Sequence, residues 1–256
     1  MKPLAGAPPP AAAGGGTAAA ASQRPASEIM YHPVGGTSHE YIEVMNISNT
    51  ENIELTDVQF SPGITFAFPA GSTLAPGGRL LVVEDLTAFE AQYGLGLPVV
   101  GQYAGELDNG GEQLVLRAQD GSVIRNFNYG DDSPWPESAD GGGYSLVLVA
   151  PRSNPNHGDP FSWRPSVSLH GTPGTGDGTQ FDGVATADLD QDGLTALLEY
   201  ALGSSDTLSD PGVLPSGRVG QFADGQGGMS DYFTFTYRRN LAADDLIHRV
   251  EISEDL

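Results

Sequence analysis

The chain has no cysteine, so no disulfide braces it and no thiolate can bind a metal or act as a nucleophile. Basic residues are scarce. Eleven Lys and Arg stand against 33 Asp and Glu, Lys2 is the only lysine, and the formal net charge is −22 at pH 7. Such a surface repels phosphate backbones and anionic headgroups, which argues against nucleic acid and acidic membranes as partners and favours solubility and cation binding. No apolar run approaches the roughly 18 residues of a membrane-spanning helix, so no membrane insertion is expected. The five histidines, His32, His39, His157, His170 and His248, are scattered, and none stands at a close zinc-ligand spacing. There is no G-x-S-x-G elbow, and Ser145 lies inside the strand-like GYSLV. Gly174, Gly176 and Gly178 have no strand leading in and no helix leading out, so they form no phosphate cradle. Together these absences leave no recognisable catalytic apparatus.

What the chain has is turns. Its 35 Gly and 19 Pro among only 39% hydrophobic residues favour an all-β protein over a helical one. Met1–Pro25 is Ala, Gly and Pro with few larger apolar groups, and reads as a disordered linker. Pro and Gly interrupt any apolar core of a signal peptide there, so none is expected, and Met1 need not be the natural start. Order is expected from about Ser27. SEIMYHP puts Ile29 and Tyr31 on one face and Glu28 and Met30 on the other, and Pro33 ends the strand. His39–Ile47 alternates, with Tyr41, Ile42 and Val44 as its apolar residues and Glu40 and Glu43 flanking them. Ile53–Phe60 and Ile64–Phe68 are further strands, and Arg79–Val83 is a continuous apolar run suited to burial on both faces. In Leu86–Tyr93, Leu86, Phe89 and Tyr93 fall at helical spacing, with Gly94 as a stop.

The clearest stretch is Gly105–Val149, which reads as three strands on which the rest of the sheet packs. Gln113–Arg117 is followed by Asp120-Gly121, a turn dipeptide. Ser122–Tyr129 then alternates, with Val123, Arg125, Phe127 and Tyr129 on one side, and Ile124, Asn126 and Asn128 on the other. Tyr144–Val149 follows a Gly-rich loop. Some eight or nine short strands with regular turn signals are the pattern of a β-sandwich. At this point the residues resemble a family. SEIMYHP, EYIEVMNIS, FPAGSTLAPGGRLLVVED, LDNGGEQLVLRAQDGSVIRNFNYGDDSPWP, ADGGGYSLVLV and the closing WRPS…GTPG resemble the lamin tail domain, in the form common in exported bacterial proteins. The resemblance implies an immunoglobulin-like β-sandwich over about residues 26–175, no catalytic residues, and a role as an accessory module in a larger extracellular or cell-surface protein. Lamin tails of animals work in the nucleus, but this chain has no heptad rod and no basic localisation runs.

Residues 176–210 read as an acidic linker containing DLDQDGLTALLE, Asp188–Glu199. This matches the calcium loop D-x-[DN]-x-[DN]-G-x5-E in full. Asp188, Asp190 and Asp192 hold the first, third and fifth places, Gly193 allows the sharp turn, Leu194 would offer its backbone carbonyl, and Glu199 would close the shell with both oxygens. The eighth place is Thr195 rather than a branched apolar residue, and no second loop is visible. A lone loop is therefore expected, with an exiting helix over Leu194–Leu202 stopped by Gly203, and with Ca²⁺ bound at roughly 10⁻⁴–10⁻³ M. The competing reading is a solvated acidic spacer. Residues 211–256 read as the start of an incomplete β module, with strands at Tyr232–Tyr237 and His248–Ile252. Two strands cannot form a core by themselves.

Glu28, Glu40, Glu43, Asp85 and Glu112 are the best carboxylates for a hydrolase pair, but as strand-face and turn residues they are expected to be solvated. Trp135 and Trp163 are expected to cap or pack rather than to bind sugars. The sum is a non-catalytic interaction module with a Ca²⁺-stabilised joint, whose partner is a protein or a cell surface. The alternatives are an accessory part of a larger secreted nuclease, esterase or polysaccharidase, and a carbohydrate-binding sandwich with a glycan partner.

Overall fold

A computed structural model describes residues 24–223, 227–243, 245–246 and 248. Two sheets form the sandwich. The larger contains β1 (Ala26–Met30), β2 (Tyr41–Met45), β7 (Arg79–Val83), β8 (Val99–Gln102), β11 (Leu146–Leu148) and β12 (Trp163–Pro165), in the order β12-β11-β1-β2-β7-β8. The smaller contains β4 (Gln59–Phe60), β5 (Phe66–Ala67), β9 (Gln113–Arg117) and β10 (Val123–Asn128), in the order β10-β9-β4-β5. A two-stranded piece, β3 (Ile53–Glu54) with β6 (Thr73–Leu74), closes one end. The fold is the all-β sandwich that the alternation and turn spacing imply. The segment read as one strand, Ile53–Phe60, is cut in two, because Asp57 takes a left-handed backbone (φ 58°) between β3 and β4.

The main core lies between the sheets. Ile29, Ile42, Val44 and Val82 of the larger sheet meet Phe60, Phe66, Leu114, Leu116, Ile124 and Phe127 of the smaller. The alternation in Ile64–Phe68 holds, since Ile64, Phe66 and Phe68 are buried while Thr65 and Ala67 are exposed. In β10 the expected faces hold from Asn126 to Tyr129 and fail at its start. The register slips between Val123 and Arg125, a bulge that turns Ile124 as well as Phe127 inward and leaves Val123 exposed. The grouping of Gly105–Val149 is also corrected. β9 and β10 form the hairpin expected at Asp120-Gly121, but β11 crosses to the other sheet, where it lies between β1 and β12. The sandwich is thus organised around β1 and β2, at the centre of the larger sheet.

The outer face of that sheet is buried too. Helix α1 (Leu86–Tyr93) begins at Asp85, whose side chain accepts a hydrogen bond from Ala88 N, and it ends at Gly94 (φ 87°). It lays Phe89 over Met30, Tyr41, Leu81 and Val83. Tyr41 meets Phe89 and Tyr93 edge-on, at centroid distances of 5.8 and 5.7 Å. Beside the helix runs the closing strap 166–177. It is rich in Gly and Thr and has few side chains to bury, so its backbone must be held by groups from the sheet. Glu28 accepts from Thr172 N (2.9 Å) and Glu43 accepts from Gly174 N (2.8 Å). Asp177 accepts from Val167 N and pairs with buried Arg164.

The C-terminal part is smaller. Helix α2 (Ala196–Leu202) starts after Thr195, later than the expected Leu194, because Thr195 is extended (φ −84°, ψ 151°). Leu194, Leu202 and Val213 form its apolar contact. β13 (Ser216–Ala223) and β14 (Met229–Thr236) form a hairpin. β14 covers most of the strand expected at Tyr232–Tyr237, while β13 was not expected. After the hairpin the chain returns to α2, where Asn240 donates to the carbonyls of Tyr200 and Ala201. Thr179 N donates to Ala242 O, and Asp245 accepts from Phe181 N and Tyr200 Oη. Of the segment His248–Ile252 only His248 is among the described residues, and Met1–Pro25 is described only from Arg24.

Gly171 marks the tightest point of the strap. It has φ 78°, and a Cβ there would collide with Tyr41 Oη and Glu28 Oε1. Gly171→Ala should therefore cost about 3 kcal/mol in chemical denaturation. Gly94→Ala has a similar φ of 87° but open space around it, and should cost about 1 kcal/mol.

Candidate metal centre

The carboxylates that could have formed a hydrolase pair are structural. Contrary to the expectation of solvated faces, Glu28, Glu40 and Glu43 are buried: both faces of β1 and β2 are covered over Glu28 and Glu43, and Glu40, just before β2, is held by Tyr103 and Leu107. Glu28 Oε1 accepts from Tyr41 Oη (2.6 Å) and Ser145 Oγ (2.6 Å) as well as Thr172 N. Glu43 accepts from Ser27 Oγ (2.6 Å) and pairs with Arg79 (2.9 Å). The two glutamates are cross-strand partners. The space beside them is about 10 Å³, lined by Ser27, Glu28, Glu43, Arg79 and Asp177 among others, which is room for one water and no substrate. Burial pushes both carboxyls up, and for Glu43 the Arg79 guanidinium opposes the shift. Asp85 caps α1, and half-buried Glu112 accepts from Asp108 N at 3.2 Å.

The other candidates are also accounted for by packing. Trp163 lies in the core, 4% exposed, with Nε1 donating to His157 O (2.8 Å). Trp135 packs half-buried beside it at a centroid distance of 6.5 Å. His157 is buried between Phe127 and Trp163, and burial lowers its pKa to about 4. His32 pairs with Asp140 at 2.6 Å. Among the described residues, one group of three or more His, Asp or Glu side chains comes close enough to share an ion: Asp188, Asp190 and Asp192, with oxygens all within 4.8 Å of one another.

This loop is shaped by its own backbone. Asp188 Oδ2 accepts from Gly193 N (3.1 Å), Asp190 Oδ1 from Asp192 N (3.2 Å) and Asp192 Oδ1 from Leu194 N (2.9 Å). Gln191 and Gly193 take left-handed conformations, with φ of 61° and 94°. The other oxygens of the first two aspartates, Asp188 Oδ1 and Asp190 Oδ2, are buried and have no partner. Leu194 turns its side chain into the contact with Leu202 and Val213. It lies before the helix, where its backbone belongs to the loop. Glu199, in α2, is 0% exposed. Ser204 Oγ donates to its Oε1 at 3.3 Å, while Oε2 has no partner. Burial raises its pKa, and the charges of Asp190, Asp192 and Asp206 raise it further. Glu199 stands outside the tight group of three, but its carboxyl faces the charges of Asp190 and Asp192. Sequence reasoning did not single out Asp206, whose Oδ1 accepts from Leu189 N within the loop (3.2 Å).

With this geometry in view, comparison with known proteins gives one match. The family model of the lamin tail domain matches residues 19–131. Neither curated proteins nor solved structures give a match. The match covers the chain from before β1 through β10 and ends short of the Asp-rich loop. The sandwich has the immunoglobulin-like all-β architecture that a lamin tail match over these residues implies, and the match suggests a structural or interaction module.

Glu40 offers a test of the buried-acid architecture. Its Oε2 accepts from Tyr103 Oη and Leu107 N, both at 2.8 Å, while buried Oε1 has no partner. Burial raises its pKa to about 7, and Glu106 and Glu84 add to the shift. The folded state then binds a proton that the unfolded chain, with a carboxyl near 4.5, has released. This contribution is fully present below about pH 4.5 and is lost as pH rises through 7. Glu40→Gln should flatten that part of the pH–stability profile, removing a slope on the order of 2–3 kcal/mol across the window, as read by urea unfolding at stepped pH.

Proposed function

We propose that this chain is a non-catalytic interaction module of an exported, multidomain bacterial protein, and that Ca²⁺ in the loop Asp188–Glu199 stiffens the joint behind the sandwich. The observation that carries the proposal is the carboxyl of Glu199, which is buried with one oxygen lacking any partner and faces other carboxylates. A buried carboxylate oxygen left without a donor is costly, and a divalent cation removes that cost. Calcium is the fitting ion, because the donors are hard oxygens delivered from one short flexible segment. An affinity of roughly 10⁻⁴–10⁻³ M suits an extracellular or cell-surface setting. The lamin tail match supports the module reading. The net charge of −22 favours a protein or cell-surface partner over nucleic acid.

The joint lies between the strap and the loop. Thr179 pairs with Ala243, and Phe181 N is held by Asp245, so ordering the loop and α2 also orders the segment that follows the sandwich. Calorimetric titration of Ca²⁺ should show one saturating site in the whole chain and none in Asp190→Ala/Glu199→Ala. Ca²⁺ should also slow proteolysis between residues 174 and 187 in the parent chain alone. No heat in the parent chain would refute the site, and binding without protection would refute the joint.

A further inference from the structure

The twelve-residue motif leaves a gap in its own shell. Its ninth place, which in such loops supplies a ligand directly or through water, is Ala196, the buried first residue of α2. Alanine has no donor to give. The loop is approached, beside its first ligand, by a residue from outside the motif. Gly203 ends α2 in a left-handed conformation (φ 75°, ψ 37°), and the chain turns back. The carboxylate of Asp206 then reaches the loop between its first two ligand places, where Oδ1 accepts from Leu189 N at 3.2 Å. Asp206 is also near enough to Glu199 for like-charge repulsion. A second carboxylate so close to a buried one with an unsatisfied oxygen is unfavourable unless a cation lies between them.

We infer that Asp206, from outside the motif, is a further ligand of the same Ca²⁺ site and supplies a carboxylate to a loop whose ninth residue, Ala196, has none. The inference rests on the calcium reading of the loop and extends it. The three loop aspartates, the Leu194 carbonyl and both oxygens of Glu199 supply six donors, and Asp206 supplies a seventh, within the range that Ca²⁺ takes. The site then ties together two segments rather than one. Asp210 N donates to Asp192 Oδ2 (3.2 Å), and the Asp210 carboxylate pairs with Arg238, just beyond β14, at 3.3 Å. The ion would thus fix the 204–210 turn, and through it the base of the hairpin, against the loop.

The test uses the whole chain with Ca²⁺ titrated by calorimetry, and with Eu³⁺ luminescence lifetimes in H₂O and D₂O to count coordinated waters. It is run in about 0.15 M salt, where charges beyond roughly 8 Å are screened. Asp206→Ala should weaken Ca²⁺ binding about tenfold and add one water to bound Eu³⁺. Asp182→Ala removes an exposed charge from the cleft that Asp206 also lines, and should change neither reading. Asp206→Asn keeps an acceptor for Leu189 and should also weaken binding, which guards against a folding defect in the alanine variant. Unchanged affinity in both Asp206 variants, or no gained water in Asp206→Ala, would overturn the inference while leaving the loop reading intact. A parent chain that binds no Ca²⁺ would overturn both.

Discussion

A buried carboxylate must be met by donors or by a cation, and the structure depends on how each of its acids meets that requirement. In the sandwich, Glu28 and Glu43 are surrounded by hydroxyls, backbone amides and the Arg79 guanidinium. These acids replace the side chains that the closing strap lacks. In the C-terminal part, Glu199 is as deeply buried but receives one long hydrogen bond from Ser204. The same chemistry is therefore complete in one place and incomplete in the other. That contrast, more than the match to a motif, is the physical reason to place a cation at the loop.

The acids of β1 and β2 also explain why the sandwich does not end where its last recognisable strand ends. Charge-assisted hydrogen bonds from amides to a carboxylate are among the stronger polar contacts in a fold. Those accepted by Glu28, Glu43 and Asp177 carry the chain across the outer face of the larger sheet. The lamin tail match stops at residue 131, yet β11, β12 and the strap complete the larger sheet and its outer cover. Covered on both faces, that sheet has the near-continuous apolar character seen in Arg79–Val83.

Much of this was legible in the sequence, because the signals were local. The alternation in Ile64–Phe68, the apolar run Arg79–Val83, and the helical spacing and Gly94 stop of α1 all act within a few residues. The Asp-rich loop was legible for the same reason. What was missed depends on distant partners. A period of two shows that Glu28 shares a face with Met30, but not that α1 and the strap will bury that face. The bulge at Val123–Arg125 is set by pairing with β9, and the crossing of β11 by its place between β1 and β12. β13, SGRVGQFA, has two glycines and little alternation, and it becomes a strand by pairing with β14. Asp206 lies beyond the motif window and reaches the loop only because Gly203 turns the chain.

The central contrast is that Glu28 and Glu43 of the sandwich are satisfied by the protein, whereas the acids of the loop are proposed to be met by an ion. Residue-resolved hydrogen exchange with and without Ca²⁺ tests it most directly. The amides of Asp192, Gly193 and Leu194, which donate to the loop aspartates, should exchange markedly more slowly with Ca²⁺. The amides of Thr172 and Gly174, held by Glu28 and Glu43, should be protected equally in both conditions. Loop amides indifferent to Ca²⁺, or strap amides that depend on it, would contradict the account.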